Sequence, residues 1–314
     1  MRALAAKVCR STGADSCTLG ARLQSLWGGY GDLWRAELVK GRETTAVVVK
    51  NVRPPPDDGS LSHRRKLRSY RIEQAFYARY AGKCDEACRV PRAVATSAEP
   101  SAFLSVLEDL DAAGYAERRS RLHPGEISSV LSWLAAFHAT FLGEPAEELW
   151  KVGTYWHLAT RPDELARMRH PALRKVAGAI DARLGGASFR TFVHGDAKPE
   201  NVCFGRDGRV ALVDFQYVGG GVGVKDVAYF LSGCLASREC AVLVPRYLDD
   251  YFGALRSALA PRLQAPELAA LEREWRELFP LAWVDFYRFL LGWAPGAYDP
   301  DPFSDALVEQ VLAG

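Results

Sequence analysis

Three oxygen-bearing side chains stand in one short stretch, residues 192–215, which reads FVHGDAKPENVCFGRDGRVALVDF. Asp196 closes the triplet His194-Gly195-Asp196, Asn201 comes five residues later, and Asp214 thirteen after that. Such a set suits phosphoryl transfer, which asks a protein for little covalent chemistry. It asks for hard oxygen ligands to magnesium and for a carboxylate that accepts a proton from an attacking hydroxyl. Asp196 fits the base; Asn201 and Asp214 fit the metal ligands. Each also has a plainer reading, Asp196 and Asn201 as turn formers and Asp214 as a loop cap. The joint spacing inside one hairpin favours the chemistry.

The stretch itself predicts how the three meet. Residues 189–193 are an apolar run, expected as a buried strand, and residues 194–201 are a polar loop. Val202, Cys203 and Phe204 then lead to Asp207-Gly208, a two-residue hairpin signal, and residues 210–213 return. The two ends of an antiparallel hairpin lie together. Asp196 and Asn201 at its entrance and Asp214 at its exit are therefore expected to converge.

HGDAKPEN followed by VDF resembles the Brenner-type motif of the aminoglycoside phosphotransferase and choline kinase superfamily, HGDxxxxN and then Asp-Phe, Asp-Trp or Asp-Pro. The surrounding text is similar to the ecdysteroid kinase-like branch, small-molecule kinases with a CHK-kinase-like domain. The resemblance runs from about residue 19 to about residue 293. It implies an α+β, two-lobed, protein-kinase-like fold. A small N-terminal lobe of antiparallel sheet with one helix would span residues 1–108, and a larger, mainly helical lobe residues 109–314. It also implies ATP and Mg2+, and a small-molecule hydroxyl as acceptor. Lys198 gives AKPEN, which looks like the eukaryotic protein kinase catalytic loop, where a lysine two after the aspartate touches the transferred phosphate.

The elements upstream supply a nucleotide site in the expected order. LGARLQSLWGGY and GDLWRAELV flank Gly28, Gly29 and Gly31, a glycine-rich turn between strands. Glycine lets backbone N–H groups approach a polyphosphate, although a plain hairpin turn gives the same text. TTAVVVKNV is a β-branched strand carrying Lys50. A lysine among apolar residues is costly unless it is paired or at a solvent edge; the functional reading is the lysine on the α/β-phosphates. LRSYRIEQAFYARY has a helical apolar face with Glu73 among it, placed to partner Lys50. Glu86 and Glu99 are the other candidates, both in expected loops, and a solvated Glu73 is the alternative. FLSVLEDLDAAG is a strand that stops abruptly, and by the resemblance adenine would meet the backbone of Leu107, Glu108 and Asp109 there.

The remainder reads as helical. A helix opens at His123-Pro124 and carries His138 beside its apolar face, where a satisfied core histidine is the favoured reading. Another helix is expected over about 163–184, with Trp150, Tyr155, Trp156 and His157 before it as either core or a pocket wall. Gly219, Gly220, Gly221 and Gly223 are expected as a flexible or tightly turned loop, followed by a helix from about Lys225. Asp226 opens that helix and is expected to tie the catalytic loop through backbone N–H bonds. Helices follow at about 244–260, 266–278 and 281–292. Asp285 sits among Trp283, Phe286, Tyr287, Leu290 and Trp293; aromatic faces with a carboxylate would suit a cationic ligand, while core packing with a helix-surface aspartate is the favoured reading.

Composition excludes several classes. Net charge is +2 over 314 residues, too small to argue for nucleic acid or a membrane surface. No apolar run approaches the roughly 18 residues of a membrane helix. Seven scattered cysteines without a CxxC pair form neither a disulfide framework nor a zinc site. A reducing, cytoplasmic setting is expected, with no obligate protein partner evident; MRALAAKVCRSTGADS is short of a signal-peptide core, and a transit peptide stays open but weakly supported, since the stretch is short and contains Asp15. A metal hydrolase would need further histidine clusters that the six dispersed histidines do not make. A protein kinase would follow its metal aspartate with Phe-Gly rather than Phe-Gln, and would not reach Asp226 a dozen residues on. A nucleotide-binding pseudokinase would lack one of Lys50, Asp196, Asn201 and Asp214. The expectation is an ATP-dependent small-molecule kinase, with the pseudokinase and protein kinase as alternatives.

Overall fold

The computed structural model describes residues 1–99, 102–296 and 301–313. The chain runs α1 (Arg2–Thr12), β1 (Ser16–Ser25), β2 (Gly31–Lys40), β3 (Glu43–Val52), α2 (Leu61–Arg79), β4 (Ala93–Glu99) and β5 (Ala102–Glu108). Next come α3 (Pro124–Thr140), α4 (Pro162–Arg167), α5 (Pro171–Gly185), β6 (Thr191–Val193), β7 (Val202–Phe204), β8 (Val210–Leu212) and β9 (Gly219–Gly221). It ends with α6 (Val224–Cys234), α7 (Ser237–Leu259), α8 (Ala265–Trp293) and α9 (Pro302–Ala313). Contacts group the chain into two compact units, Met1–Arg118 with Cys203–Gln216, and Arg119–Val202 with Tyr217–Gly314.

In the first unit five strands make one antiparallel sheet in the order β1-β2-β3-β5-β4. Side chains alternate across a strand, so each face takes every second residue. Val47 and Val49 of β3 and Leu104 and Val106 of β5 share a core cluster with Val8 of α1. Val52 and Phe103, of opposite parity, cluster with Tyr70 of α2. Lys50 has the parity of Val52 and so faces α2. The sheet thus carries a helix on each face, one more than the sequence suggests. The extra helix, α1, buries Val8 against the sheet. Helix α2 starts six residues before the expected 67, because the Ser60 hydroxyl caps it by accepting from the His63 N–H at 3.0 Å. The β7–β8 hairpin turns at Asp207-Gly208 as its sequence demands, with Gly208 at φ 81°.

In the second unit α8 is one helix of 29 residues, where two were expected. Pro280 lies inside it and removes one backbone hydrogen bond, at a cost of about 3 kcal/mol. Burial of Trp275, Phe279, Trp283, Val284 and Phe286 on both sides of the proline outweighs that. The helix expected over 163–184 is instead two, α4 and α5. Pro171 keeps His170 out of helical geometry (φ −131°, ψ 88°), and the His170 ring caps α5 by accepting from the Leu173 N–H at 3.1 Å. Residues 219–221 are not a loop. They pair antiparallel with β6, Phe192 opposite Gly220, and are buried. A Cβ on Gly219 would lie 2.2 Å from the Trp150 carbonyl oxygen, so only glycine lets these backbones pass.

All seven cysteines are free thiols. Among the described residues no helix is long and apolar enough to cross a membrane.

Gly219→Ala forces that close approach apart and should cost about 1–3 kcal/mol in chemical denaturation. Gly178→Ala, in α5 with open space around it, should be neutral or stabilising. An unshifted midpoint for Gly219→Ala would refute the packing argument.

Candidate active site

In the second unit the site is built on the loop after β6. Asp226, in the first turn of α6, is fully buried and faces this loop. Its Oδ2 accepts from the His194 N–H at 2.6 Å and its Oδ1 from the Gly195 N–H at 2.9 Å. His138 Nε2 lies 3.1 Å from Oδ2 and His138 Nδ1 2.8 Å from the Tyr251 hydroxyl. With the carboxylate ionised, Nε2 carries the proton and Nδ1 accepts from Tyr251. The core histidine read from the sequence is thus satisfied on both nitrogens. Gly195 has φ 79°, and a Cβ there would lie 2.3 Å from the Tyr217 carbonyl oxygen, so the loop closes only with glycine at that position.

Asp196 comes next and is buried, with both carboxylate oxygens engaged. Oδ1 accepts from the Tyr229 hydroxyl at 2.9 Å. Oδ2 accepts from Asn201 Nδ2 at 3.2 Å and lies 3.4 Å from Lys198 Nζ. Asn201 Nδ2 also donates to the Asp196 carbonyl at 2.8 Å. The loop therefore brings together Asp196, Lys198 and Asn201, as expected. Tyr229 escaped the sequence reading. Its signal was its position on α6 three residues after Asp226, a turn further along the same helix.

In the first unit Lys50 is buried and bound by both oxygens of Glu73, at 2.8 and 2.7 Å. Asp214 Oδ1 is 3.5 Å from the same Nζ. Burial disfavours the Lys50 charge, but the attraction of Glu73 and then of Asp214 outweighs it and raises the ammonium pKa. Asp214 itself has φ 70°, a left-handed conformation that non-glycine residues rarely adopt. Two neighbours hold it there. Phe215 stacks on Phe76 of α2 with centroids 4.0 Å apart, and Gln216 Nε2 donates to Asp214 Oδ1 at 2.7 Å. Gln216 Oε1 accepts in turn from the Ser69 hydroxyl of α2 at 3.0 Å. Glu86 and Glu99, the other candidates, lie elsewhere: Glu86 accepts from Tyr115 and Glu99 pairs with Lys7.

The glycine turn joins β1 to β2. Gly28, Gly29 and Gly31 have φ of 67°, 76° and 132°, so each uses backbone freedom. A cavity of about 420 Å³ beside the turn is lined by Ser25, Leu26, Gly29, Gly31, Asp32 and Arg53. At the end of β5, Leu107 is buried. Glu108 pairs with Arg89 at 2.6 Å and Arg92 at 3.2 Å, and Asp109 with Arg35 at 2.7 Å. The N–H groups of Glu108 and Asp109 donate to the carbonyls of Arg92 and Ala46, at 2.8 and 3.3 Å.

Asp285 is not open to a cationic ligand. It is fully buried, 3.1 Å from Lys225 Nζ and 2.7 Å from Arg288 Nη2, and it accepts from the Trp156 indole at 3.1 Å. Burial alone would raise its carboxyl; Lys225 and Arg288 overcome that and hold it at about 2. Trp156, with no exposed surface, is core, and its ring packs 4.9 Å from Tyr229. Among the described residues one further group of ligand atoms, on Asp57, Asp58 and His63, lies within 4.8 Å of one another. There Asp57 and Asp58 accept from the Gly59 and Ser60 N–H groups, and His63 Nδ1 sits 2.6 Å from the Tyr30 hydroxyl.

Solved structures share this architecture. A microcompartment-associated aminopropanol kinase is 14% identical, matched over 95% of this chain and 93% of that one, with a TM-score of 0.50. Also similar are the choline kinase LicA of Streptococcus pneumoniae (11% identity, 99% and 98% coverage, TM-score 0.48) and an aminoglycoside-3′-phosphotransferase of type VIII (18%, 88% and 97%, 0.43). A search of curated proteins gives no match. The fold is kinase-like, a five-stranded antiparallel sheet in the N-terminal part with a larger helical C-terminal part. Residues 40–268 match the phosphotransferase enzyme family, and the chain belongs to it.

Asp285→Asn leaves Lys225 and Arg288 buried without their counter-charge and should cost about 3–5 kcal/mol. The folded carboxyl lies below its unfolded value of about 3.9. Its contribution is therefore complete above that value and lost as pH falls toward about 2. Denaturation of both proteins across pH should show a constant gap from about pH 5 to 8 that narrows below about pH 4.

Proposed function

We propose that the protein transfers the γ-phosphate of ATP to a hydroxyl of a small metabolite. The observation that carries this reading is the buried Lys50–Glu73 pair with Asp214 beside it, inside a phosphotransferase family. A lysine that faces a helix from the middle of a sheet is tolerated there because it is paired, and its charge suits the α/β-phosphates. Gly28, Gly29 and Gly31 would let the backbone approach the same phosphates, and the strand end at Leu107, Glu108 and Asp109 would meet the adenine through backbone atoms. We keep 1–108 as the nucleotide-binding portion on that basis.

Mg2+ suits the donor set. Asn201 has committed its Nδ2 to Asp196 and so offers its amide oxygen, and the Asp214 carboxylate is partly exposed. Each is an oxygen ligand of the kind Mg2+ takes, and the ion would neutralise charge on the transferring phosphate. Asp196 orients the acceptor hydroxyl and takes its proton at Oδ2, and Lys198 steadies the γ-phosphate. Lys50, Asp196, Asn201 and Asp214 are all present, which weighs against a pseudokinase. Gln216, engaged with Asp214 where a protein kinase carries glycine, weighs against a protein substrate.

The HGDAKPEN, VDF and KLRSYRIEQAFY segments support placement in the ecdysteroid kinase-like branch. For the acceptor, the neutralised Asp285 removes the argument for a cationic alcohol such as choline. The aromatic residues around Tyr229 are buried core, so the acceptor class rests on the panel below.

The test is ADP release from Mg·ATP across a panel of sterols, sugars, choline, ethanolamine, aminoglycosides and a generic protein substrate. Release that depends on an alcohol, is abolished by Asp214→Ala, and falls about 10²–10⁴-fold in Asp196→Asn is expected. Full turnover in Asp196→Asn would sink the assignment.

A further inference from the structure

Helix α6 fixes the catalytic loop twice. Asp226 binds the N–H groups of His194 and Gly195, which sets the backbone. One turn later Tyr229 donates to Asp196 Oδ1, which sets the side chain. A carboxylate on a short side chain can still rotate when its backbone is fixed, and a base must aim one oxygen at the proton it takes. Asn201 and Lys198 both lie on the Oδ2 side, at 3.2 and 3.4 Å. Tyr229 donates on the other side, to Oδ1.

The phenol is itself held in place. Its ring lies 4.9 Å from Trp156, 4.8 Å from Phe286 and 5.5 Å from Tyr155, the last two edge-on. Trp156 is tied in turn, since its indole N–H donates to Asp285, which pairs with Lys225 and Arg288. Lys225 lies four residues before Tyr229, so the anchor returns to the helix that carries the phenol. Burial, and then the Asp196 charge, raise the phenol pKa far above its ordinary value, so Tyr229 stays a donor throughout turnover.

We infer that Tyr229 is the positioning residue for Asp196: its hydroxyl clamps Oδ1 so that Oδ2 is presented to the acceptor hydroxyl. This rests on the proposed role of Asp196 as the base. In the reaction the acceptor O–H bond breaks and its proton passes to Oδ2. The freed oxygen bonds to the γ-phosphorus as the bond to the ADP oxygen breaks, and Tyr229 keeps its own proton.

Tyr229→Phe in the full chain removes one oxygen and keeps the packed ring. The probe is Mg·ATP, with ADP release measured both with the best alcohol of the panel and with water as acceptor. The expected result is a kcat lower by about 10–100-fold, the scale of a misaimed reactive group, with the KM for ATP within twofold and the melting temperature within a few degrees. In an Asp196→Asn background the same change should add almost nothing, since the clamp has lost its object. A purely structural tyrosine would instead lower stability and act equally in both backgrounds. Wild-type kcat in Tyr229→Phe, with Asp196→Asn inactive, overturns this inference and leaves the kinase reading intact. A wild-type protein that releases no ADP, or an Asp196→Asn protein that is fully active, overturns both.

Discussion

One buried carboxylate organises the second unit. Asp226 has no exposed surface and accepts from two backbone N–H groups and a histidine. A buried charge without such partners would cost several kcal/mol. The helix that supplies it, the loop that caps it and the His138–Tyr251 pair behind it must therefore be in register together. That requirement is met by glycine wherever a Cβ would intrude. Gly195 passes Tyr217, and Gly223, at the mouth of α6, would put a Cβ 2.5 Å from the Trp275 ring and 2.6 Å from His138. The loop after β6 is tied down by the carboxylate that its N–H groups satisfy.

The first unit meets a comparable constraint with a different device. Its sheet is covered on both faces, and the parity of β3 turns Lys50 from the α1 face to the α2 face. There Glu73 accepts it, and Asp214 adds a second negative charge at 3.5 Å. Burial pushes the Glu73 carboxyl up to about 7 even against the pull of Lys50, so the ammonium is held by a carboxylate close to its own titration.

What was legible in the sequence was whatever is local. The hairpin at Asp207-Gly208, the strand around Lys50 and the HGD loop are written in neighbouring residues, and so are the side chains of Asp196, Lys198 and Asn201. Glu73 was found because helical periodicity places it on the face that also carries Tyr70 and Phe76. What was not legible depends on distant partners. The glycines at 219–221 read as a loop because nothing local reveals that Trp150 and Val193 press on them. Pro280 reads as a helix end because the burial that carries α8 through it is tertiary. Asp285 read as a helix-surface aspartate beside core packing, or else as a ligand for cations, because Lys225, sixty residues earlier, gives no sign of being its partner. Tyr229 drew no reading, and Gln216 read only as the departure from Phe-Gly, because each meets its carboxylate through a contact that only the folded chain defines.

Ser69 and Glu73 stand one turn apart on the same face of α2. Ser69 reaches Asp214 through Gln216, Glu73 reaches Lys50, and Lys50 and Asp214 face each other. These five side chains close a ring. A ring of bonds to one rigid rod has no independent slack, so the helix cannot withdraw from the lysine while leaving the aspartate in place. Rotation or translation of α2 would strain both ends together, the Ser69 link to Asp214 and the Glu73 link to Lys50. The Ser-x-x-x-Glu spacing thereby makes α2 a two-position mechanical coupling rather than a passive support.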